Sequence, residues 1–369
     1  MTPSVSAALI VRDESEFIED CLRSLTGKVA EIVLVDTGSS DDTIDIARRY
    51  SIELYHFRWC DDFSAARNYA LDRATKDWIL YIDADERLEV PDLDAFSRLL
   101  ADGTKVGWEL RLHPRVGWTA YSELRLFRND PHIRFEGVIH ERIGPAVYAV
   151  ARAKSLSVGA CEVRLRHVGY EADQRPKNSR NIPSLREYLA RDPDRLFCWW
   201  HLGECLQLAG DEDAAIQALT SGIERLRGLA AEKRQLGDSL LYTSLLRLQH
   251  AKGEAIDNLK DEALALFPDN LAIQLIAAQL AVERGDLDTA RPVLEKIAAI
   301  DADAYFNPRL AYDQALFRHL SAEPLALCYF RAGRFADAAR LYYRAARTAP
   351  DPAGLELKAR LAELRAASL

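Results

Sequence analysis

The chain has 369 residues, 49% hydrophobic and 28% charged, which is enough for two or three domains with real cores. Its net charge of −9 argues against general binding of nucleic acid, because such binding requires a basic face. The N-terminus lacks the pattern of a signal peptide, no apolar stretch is long enough to span a bilayer, and the six cysteines are scattered without a C-x-x-C pair. We therefore expect a cytoplasmic protein with reduced thiols and no transmembrane segment.

Strands alternate with helices in the first part of the chain. Four apolar runs predict buried strands, at 5–11, 31–36, 52–57 and 78–83. Three helices are predicted between them, at 14–25, 39–50 and 62–74. Ser40 or Asp41 is the expected N-cap of the second helix. This alternation predicts βαβ units and a mostly parallel sheet, and three later strands joined by irregular loops predict a mixed edge, at 107–114, 122–128 and 161–170.

From about Ile182 onward the strands vanish, and helical runs rich in Ala and Leu recur between glycine-containing turns. The repeat resembles the tetratricopeptide pattern, most clearly at 199–219 and 325–350. We count about four degenerate repeats, and a plain helical bundle is the alternative because the glycine turns are unevenly spaced. The polar segment 171–183 is the predicted linker, which divides the chain into domains at 1–180 and 181–369.

Carboxylates crowd the tips of the predicted strands. Asp36 ends the second strand, and Asp83, Asp85 and Glu86 follow the fourth. Strand tips of an open α/β sheet line the ligand crevice, and two carboxylates one residue apart can bind Mg²⁺ or Mn²⁺, which commonly complete their shell with substrate phosphates. A D-x-D is a common surface pattern, as the second copy at 301–303 illustrates; its position after a buried strand favours a metal site here.

The first 180 or so residues resemble the family 2 inverting glycosyltransferases of the GT-A fold. The matching pieces lie at 6–25, 31–50, 55–88, 124–143 and 166–170. Together with the repeats, they resemble a bacterial subgroup that includes the S-glycosyltransferases of sublancin-type glycopeptides, and they are also similar to lipopolysaccharide-core glucosyltransferases. The resemblance implies an α/β GT-A domain followed by an all-α tetratricopeptide-like domain.

The resemblance also implies site residues and a metal-dependent transfer from a nucleotide-diphosphate sugar, with UDP favoured. The donor would contact Val11, Arg12, Glu14, Asp36, Arg67 and Ala84. A divalent cation, Mn²⁺ or Mg²⁺, would be held by Asp83, Asp85 and His167, with His140 as the other histidine considered. The family usually has Asn where Asp13 stands, so the base pocket is expected to differ. The Q-x-x-R-W motif of polysaccharide synthases is absent, which argues against processive polymer synthesis.

An inverting transfer is one displacement, so the acceptor needs a carboxylate base on the far side of the sugar. The resemblance puts Glu141 in this role, and Asp85 is the alternative base. Glu141 could instead form an ion pair with Arg134 or Arg142. Arginine forks suit phosphate, so two arginines of a predicted strand are further donor-binding candidates, although they could equally face solvent: Arg125 and Arg128.

The acceptor is open between a peptide or protein and a cell-envelope saccharide. The repeats would bind that acceptor or mediate a homodimer. One rival function is a non-catalytic scaffold whose first domain only binds nucleotide. A second rival, a sugar nucleotidyltransferase, is expected to have a glycine-rich loop after the first strand, and the segment 11–17 has no glycine.

Overall fold

A computed structural model describes residues 4–169 and 175–368, and the side chains of residues 175–180 lie outside this description. The chain divides into two compact units, Met1–Val116 with Ala120–Gln174 and Gly117–Thr119 with Arg175–Leu369. The predicted linker falls partly outside the described residues, and its described part belongs to a helix that runs to Arg191. The predicted boundary between residues 180 and 181 therefore lies inside this helix.

The first unit is built on one eight-stranded sheet of order β3-β2-β1-β4-β7-β6-β8-β5. Its strands are β1 Val5–Val11, β2 Glu31–Asp36, β3 Glu53–His56, β4 Trp78–Tyr81, β5 Glu86–Glu89, β6 Lys105–His113, β7 Tyr121–Arg128 and β8 Ser157–His167. Its helices are α1 Ile18–Leu25, α2 Thr43–Ala47, α3 Phe63–Leu71, α4 Leu93–Leu100 and α5 Gly144–Lys154.

The four predicted strands of the first 83 residues are present and run parallel to one another, as expected. Beyond them the sheet is mixed, because β7 runs antiparallel to both β4 and β6, while β8 is parallel to β6 and antiparallel to β5. Both faces of the sheet are covered. In β4, Trp78 and Leu80 pack on the side of α1, α2 and α4, whereas Ile79 and Tyr81 pack on the side of α3 and α5.

Some local details differ from the expectations. The N-cap of α2 is Asp42, not Ser40 or Asp41, although Asp41 Oδ1 still accepts a hydrogen bond from the Thr43 N–H at 3.0 Å. The short strand β5 and the helices α4 and α5 had no counterpart among the predicted elements. β5 is only four residues long and begins at Glu86. It forms by pairing with β8, which is distant in sequence, so the local residues give no pattern from which it could be predicted.

The second unit is helical. Its helices are α6 Arg175–Arg191, α7 Leu196–Leu208, α8 Glu212–Gly228, α9 Ser239–Ala251, α10 Asp257–Leu266, α11 Leu271–Glu283, α12 Leu287–Ala298, α13 His319–Arg331, α14 Phe335–Ala346 and α15 Pro352–Ala367. Four helix pairs, from α7–α8 to α13–α14, correspond to the four predicted repeats. Each pair turns at a glycine with positive φ, a conformation that suits glycine: Gly210, Gly253, Gly285 and Gly333. Every described helix is too short or too polar to cross a membrane.

Candidate active site

The carboxyl ends of the parallel strands meet at one edge of the sheet. Val11 pairs with Asp36, and Asp36 pairs with His56, so β1, β2 and β3 end side by side. β4 is parallel to β1 and ends at Tyr81, which carries the carboxylates of segment 83–86 to the same edge. This is the edge at which open α/β sheets bind ligands.

Arg67 links two of the predicted site residues. Its Nη2 donates to Asp83 Oδ1 at 2.8 Å, and its Nε donates to Glu141. The guanidinium lies 5.2 Å from the centre of the Tyr81 ring, within the range of a cation–π contact. Loss of water around Asp83 would raise the pKa of its carboxyl group, but the charges of Arg67 and Arg125 lower that pKa to about 2. One side chain of α3 thus holds the first D-x-D carboxylate and the predicted base in a single cluster.

Arg125 forms a second, buried ion pair beside this cluster. Its Nη2 and Nη1 donate to the two carboxylate oxygens of Glu86, at 2.8 and 3.0 Å. Glu86 also accepts from the backbone N–H of Asp83 at 3.0 Å. Glu86 is 1% exposed, and this burial raises the pKa of its carboxyl group to about 7. The bidentate pair therefore fixes the turn from which Asp83 projects.

Asp85 is held by the end of β8. His167 Nε2 lies 2.9 Å from Asp85 Oδ2, and the Val168 N–H donates to the Asp85 carbonyl at 2.9 Å. Burial lowers the pKa of His167, but the bond to Asp85 and the nearby carboxylates outweigh it and raise that pKa. Each carboxylate of segment 83–86 thus contacts an arginine or a histidine of the protein itself.

The loops after β1 and β2 are tied together by carboxylates. Asp36 is buried and accepts from the Ser39 N–H at 2.9 Å, and its other oxygen lies 3.2 Å from His56 Nδ1. Burial would raise the pKa of Asp36, but these bonds lower it. Asp13 has a φ of 54° and accepts from the Ser40 N–H at 2.7 Å. The carboxylate at position 13 therefore serves to join the two loops.

Known proteins are similar to this chain over much of its described length. The model of the family described as Glycosyl transferase family 2 matches residues 6–152. A TPR repeat-containing protein of Synechococcus elongatus is 36% identical over 272 residues, which cover 69% of this chain and 67% of that protein. The chain belongs to glycosyl transferase family 2.

This family-2 glycosyltransferase is also similar to a second curated protein and to a solved structure. The SPbeta prophage-derived glycosyltransferase SunS of Bacillus subtilis is 27% identical over 257 residues. The match covers 67% of this chain but 60% of SunS, less than two thirds of its length. Among solved structures, the mannosyltransferase PcManGT from Pyrobaculum calidifontis in complex with GDP-Man and Mn²⁺ aligns with a TM-score of 0.42 and 17% identity, covering 74% of this chain and 86% of that one.

A divalent cation fits part of the predicted ligand set. Two of the predicted ligands are in direct contact, since His167 Nε2 lies 2.9 Å from Asp85 Oδ2, a hydrogen-bond distance, and both side chains carry atoms that bind divalent cations in proteins. The third predicted ligand, Asp83, accepts a hydrogen bond from Arg67 Nη2 at its Oδ1. Within residues 4–169 and 175–368, no group of three or more His, Cys, Asp or Glu side chains is placed to hold a metal ion. The structure therefore brings Asp85 and His167 into contact, and the ligand set stays a prediction.

Four predicted donor-binding residues lie at the end of β1 or just after β1 and β4, and they differ in accessibility. Val11 and Ala84 are buried, and the Val11 carbonyl accepts from the Thr37 N–H at 2.9 Å. The Arg12 side chain is half exposed, whereas Glu14 is partly buried and its carbonyl accepts the first N–H bonds of α1. Arg12 and Glu14 are thus the members of this group whose side chains reach the surface.

Arg128 is not brought to the site. β7 is antiparallel to β4 and pairs Arg128 with Trp78, at the opposite end of β4 from Asp83. Its guanidinium stacks 4.2 Å from the Trp78 ring and donates to the Asp102 carbonyl at 2.9 Å. The prediction for Arg128 therefore needs correction, because the sequence did not reveal the direction of β7. Arg125 does lie at the site, where its guanidinium already donates to both carboxylate oxygens of Glu86.

Three features of the site are not evident from the sequence. Glu86 stands out in the sequence only as a third crowded carboxylate, since its burial against Arg125 depends on how β7 is placed. Gly169 gave no signal, and the motif around it, 166–170, ends at a residue outside the described part of the chain. The pairing of Glu141 was also missed, since its partner is Arg67 and not Arg134 or Arg142.

Proposed function

We propose that this family-2 protein transfers a sugar, with inversion and with the help of a divalent cation, from a nucleotide-diphosphate donor to an acceptor, and that a UDP-sugar is the favoured donor. The observation that carries the proposal is Arg67, which bonds to both Asp83 and Glu141 beside the Asp85–His167 pair. The carboxylate of Asp83, the guanidinium of Arg67 and the candidate base Glu141 thereby lie together at the ligand-binding edge of the sheet.

The residues take distinct roles in this proposal. Asp85 and His167 would hold Mn²⁺ or Mg²⁺, which supplies charge neutralisation for the diphosphate as it leaves. Arg67 orients Asp83 and Glu141 through two donors of one planar group. Glu141 accepts the proton of the attacking acceptor group. Asp36, Arg12 and Glu14 contact the nucleoside.

The acceptor in this proposal is a peptide or protein segment bound by the helical repeats. Stacked helix pairs offer an extended surface suited to such a segment. A cytoplasmic location is supported by six free cysteines, four of them buried. The repeats could alternatively mediate a homodimer. The alternative acceptor is a cell-envelope saccharide.

The donor is tested by the release of nucleoside diphosphate from a panel of nucleotide sugars, with and without Mn²⁺. We expect slow, metal-dependent release from one donor, and a loss of about 100-fold or more in Asp85→Ala. Asp303→Ala is the matched control, because it removes the last carboxylate of the second D-A-D at 301–303 and should leave release unchanged. No release from any donor, together with no metal-dependent nucleotide binding by calorimetry, would support the scaffold instead.

The base is tested separately with Glu141→Gln, which keeps the volume of the side chain. Transfer should fall by about 10²- to 10⁴-fold, while binding of the nucleotide with Mn²⁺ is retained. Glu136→Gln is the control, since Glu136 is an exposed carboxylate of the same loop. Unchanged transfer in Glu141→Gln would remove Glu141 from the role of base and leave Asp85 as the alternative.

The acceptor is tested by incubating the protein with labelled donor and cell extract. Label recovered in a peptide or protein fraction is the expected result. Label found only in lipid-linked or saccharide fractions would overturn the peptide acceptor and favour the cell-envelope saccharide.

A further inference from the structure

Three consecutive residues enclose Asp85. His167 contacts its carboxylate, and the Val168 N–H binds its carbonyl. The third, Gly169, faces the same carboxylate without a side chain. An ideal Cβ at Gly169 would lie 2.2 Å from Asp85 Oδ2, 2.8 Å from Cγ and 2.9 Å from Cβ. All three of its nearest heavy atoms would therefore belong to Asp85.

The backbone at Gly169 does not require glycine. Its φ lies outside the left-handed region that favours glycine. The φ of this position is therefore compatible with an L side chain, and the nearest atoms that such a side chain would meet belong to Asp85. By contrast, an added Cβ at Gly159 would meet Trp108 at 2.4 Å, and one at Gly203 would meet Leu219 at 2.7 Å, so those glycines make room for apolar packing.

The oxygen that Gly169 accommodates is the one that His167 contacts. Asp85 Oδ2 lies 2.9 Å from His167 Nε2, and the same Oδ2 is the atom nearest to the position of the absent Cβ. A methyl group at residue 169 would force the carboxylate to rotate away, since atoms do not approach within 2.2 Å. The contact between Asp85 and His167 would be lost with that rotation.

We propose that Gly169 is a positioning residue of the donor site, which keeps open the volume where the Asp85 carboxylate meets His167. This inference rests on the proposed function, because it assigns that pair to the cation and the diphosphate. Gly169 touches neither ligand itself and acts through Asp85. The segment 167–169 then works as a unit that fixes the imidazole, the main chain and the carboxylate.

The first experiment reads the position of Asp85 without any ligand. The protein is labelled with ¹⁵N-histidine, and the ring signals of His167 are assigned from their loss in His167→Gln. Gly169→Ala should shift these signals toward their positions in Asp85→Ala. That variant removes the carboxylate without adding any group, so its spectrum shows His167 with the Asp85 contact fully lost. Gly169→Ala should add no further shift in the Asp85→Ala background. Unmoved His167 signals in Gly169→Ala would overturn the positioning role.

The second experiment measures UDP binding by calorimetry in the presence of Mn²⁺. Residues that orient ligands typically change affinity by about 10- to 100-fold, and we expect a loss of this size in Gly169→Ala. Gly103→Ala is the matched control, since Gly103 is an exposed glycine of the same unit with no heavy atom within 4 Å of an added Cβ. Its binding and its His167 signals should match the wild type.

The two experiments separate the possible failures. Shifted His167 signals with unchanged UDP binding would overturn the claim that this positioning serves the donor. Absence of Mn²⁺-dependent UDP binding in the wild type would overturn UDP as the donor nucleotide of the proposed function, while the His167 signals would still decide whether Gly169 positions Asp85.

Discussion

The two units differ in what they bury. In the sheet unit, several charged side chains are buried: Asp36, Glu86, Arg87, Arg125 and Asp130. In the described part of the helical unit from residue 181 onward, the buried polar side chains are all neutral: Ser239, Thr243, Asn270 and Ser321. Since a buried charge loses several kcal/mol of hydration, it needs a compensating partner. The sheet unit carries this cost mainly at the edge where its carboxylates converge, with Asp130 as an exception, whereas the helical unit is organised by packing and helix caps.

The largest effect that tests this contrast is expected in Glu86→Ala. The change leaves the charge of Arg125 buried without its bidentate partner, which typically costs about 3–5 kcal/mol. Urea unfolding of the sheet unit measures the loss. Removal of one partner of an exposed pair, in Glu323→Ala, should cost less than about 1 kcal/mol, because Lys358 and Glu323 are 52% and 43% exposed. Equal losses of unfolding free energy in the two variants would contradict the proposed difference between the units.

A neutral buried group should matter most in the helical unit at Asn270. Its carboxamide oxygen accepts from the N–H groups of Ala272 and Ile273 at 2.9 and 3.1 Å, and its nitrogen donates to Ser239 at 2.7 Å. Asn270→Ala should cost about 2–3 kcal/mol, because a cap and a buried hydrogen bond are lost together. Chemical unfolding should show about 1 kcal/mol for Asp286→Ala, which removes an exposed cap. A smaller loss at Asn270 than at Asp286 would contradict this order.

Close packing of glycine in the helical unit should affect stability without affecting the site. An added Cβ at Gly222 would lie 2.7 Å from Leu241 and 2.8 Å from Trp199. Gly222→Ala should therefore cost about 1–3 kcal/mol by overpacking, whereas Gly228→Ala, on the same helix with no atom within 4 Å, should stay within about 0.5 kcal/mol. Nucleotide binding should be unchanged in both variants. A lower affinity in Gly222→Ala would mean that the helical unit contributes to the donor site.

The smallest predicted effect concerns a buried carboxylate away from the site. Burial would raise the pKa of Asp130, but Lys154 and His132 bind its carboxylate and lower that pKa to about 2, below its ordinary 3.8. A lowered pKa stabilises the folded state above about pH 4, and the contribution is lost as the pH falls toward 2. Asp130→Asn should cost about 1–2 kcal/mol at pH 7 and progressively less in acid. A difference from the wild type that does not change with pH would refute this origin.

The sequence by itself determined most of the local elements and their order. Apolar runs such as 5–11 and 31–36 are strands because a strand buried on both faces needs apolar residues throughout. Glycine turns mark the helix pairs, because a turn with positive φ favours glycine. The tip of β4 was identified as a site from three carboxylates after an apolar run, which are unfavourable together unless positive groups meet them.

Only the tertiary structure decided which groups those are. Arg67, Arg125 and His167 lie far from segment 83–86 in sequence, so their pairing depends on how α3, β7 and β8 are placed. The direction of β7 brings Arg125 to the site and takes Arg128 away from it, and nothing in an alternating strand encodes that direction. Gly169 matters through the space it leaves beside Asp85, and such space exists only once β5 and β8 are paired.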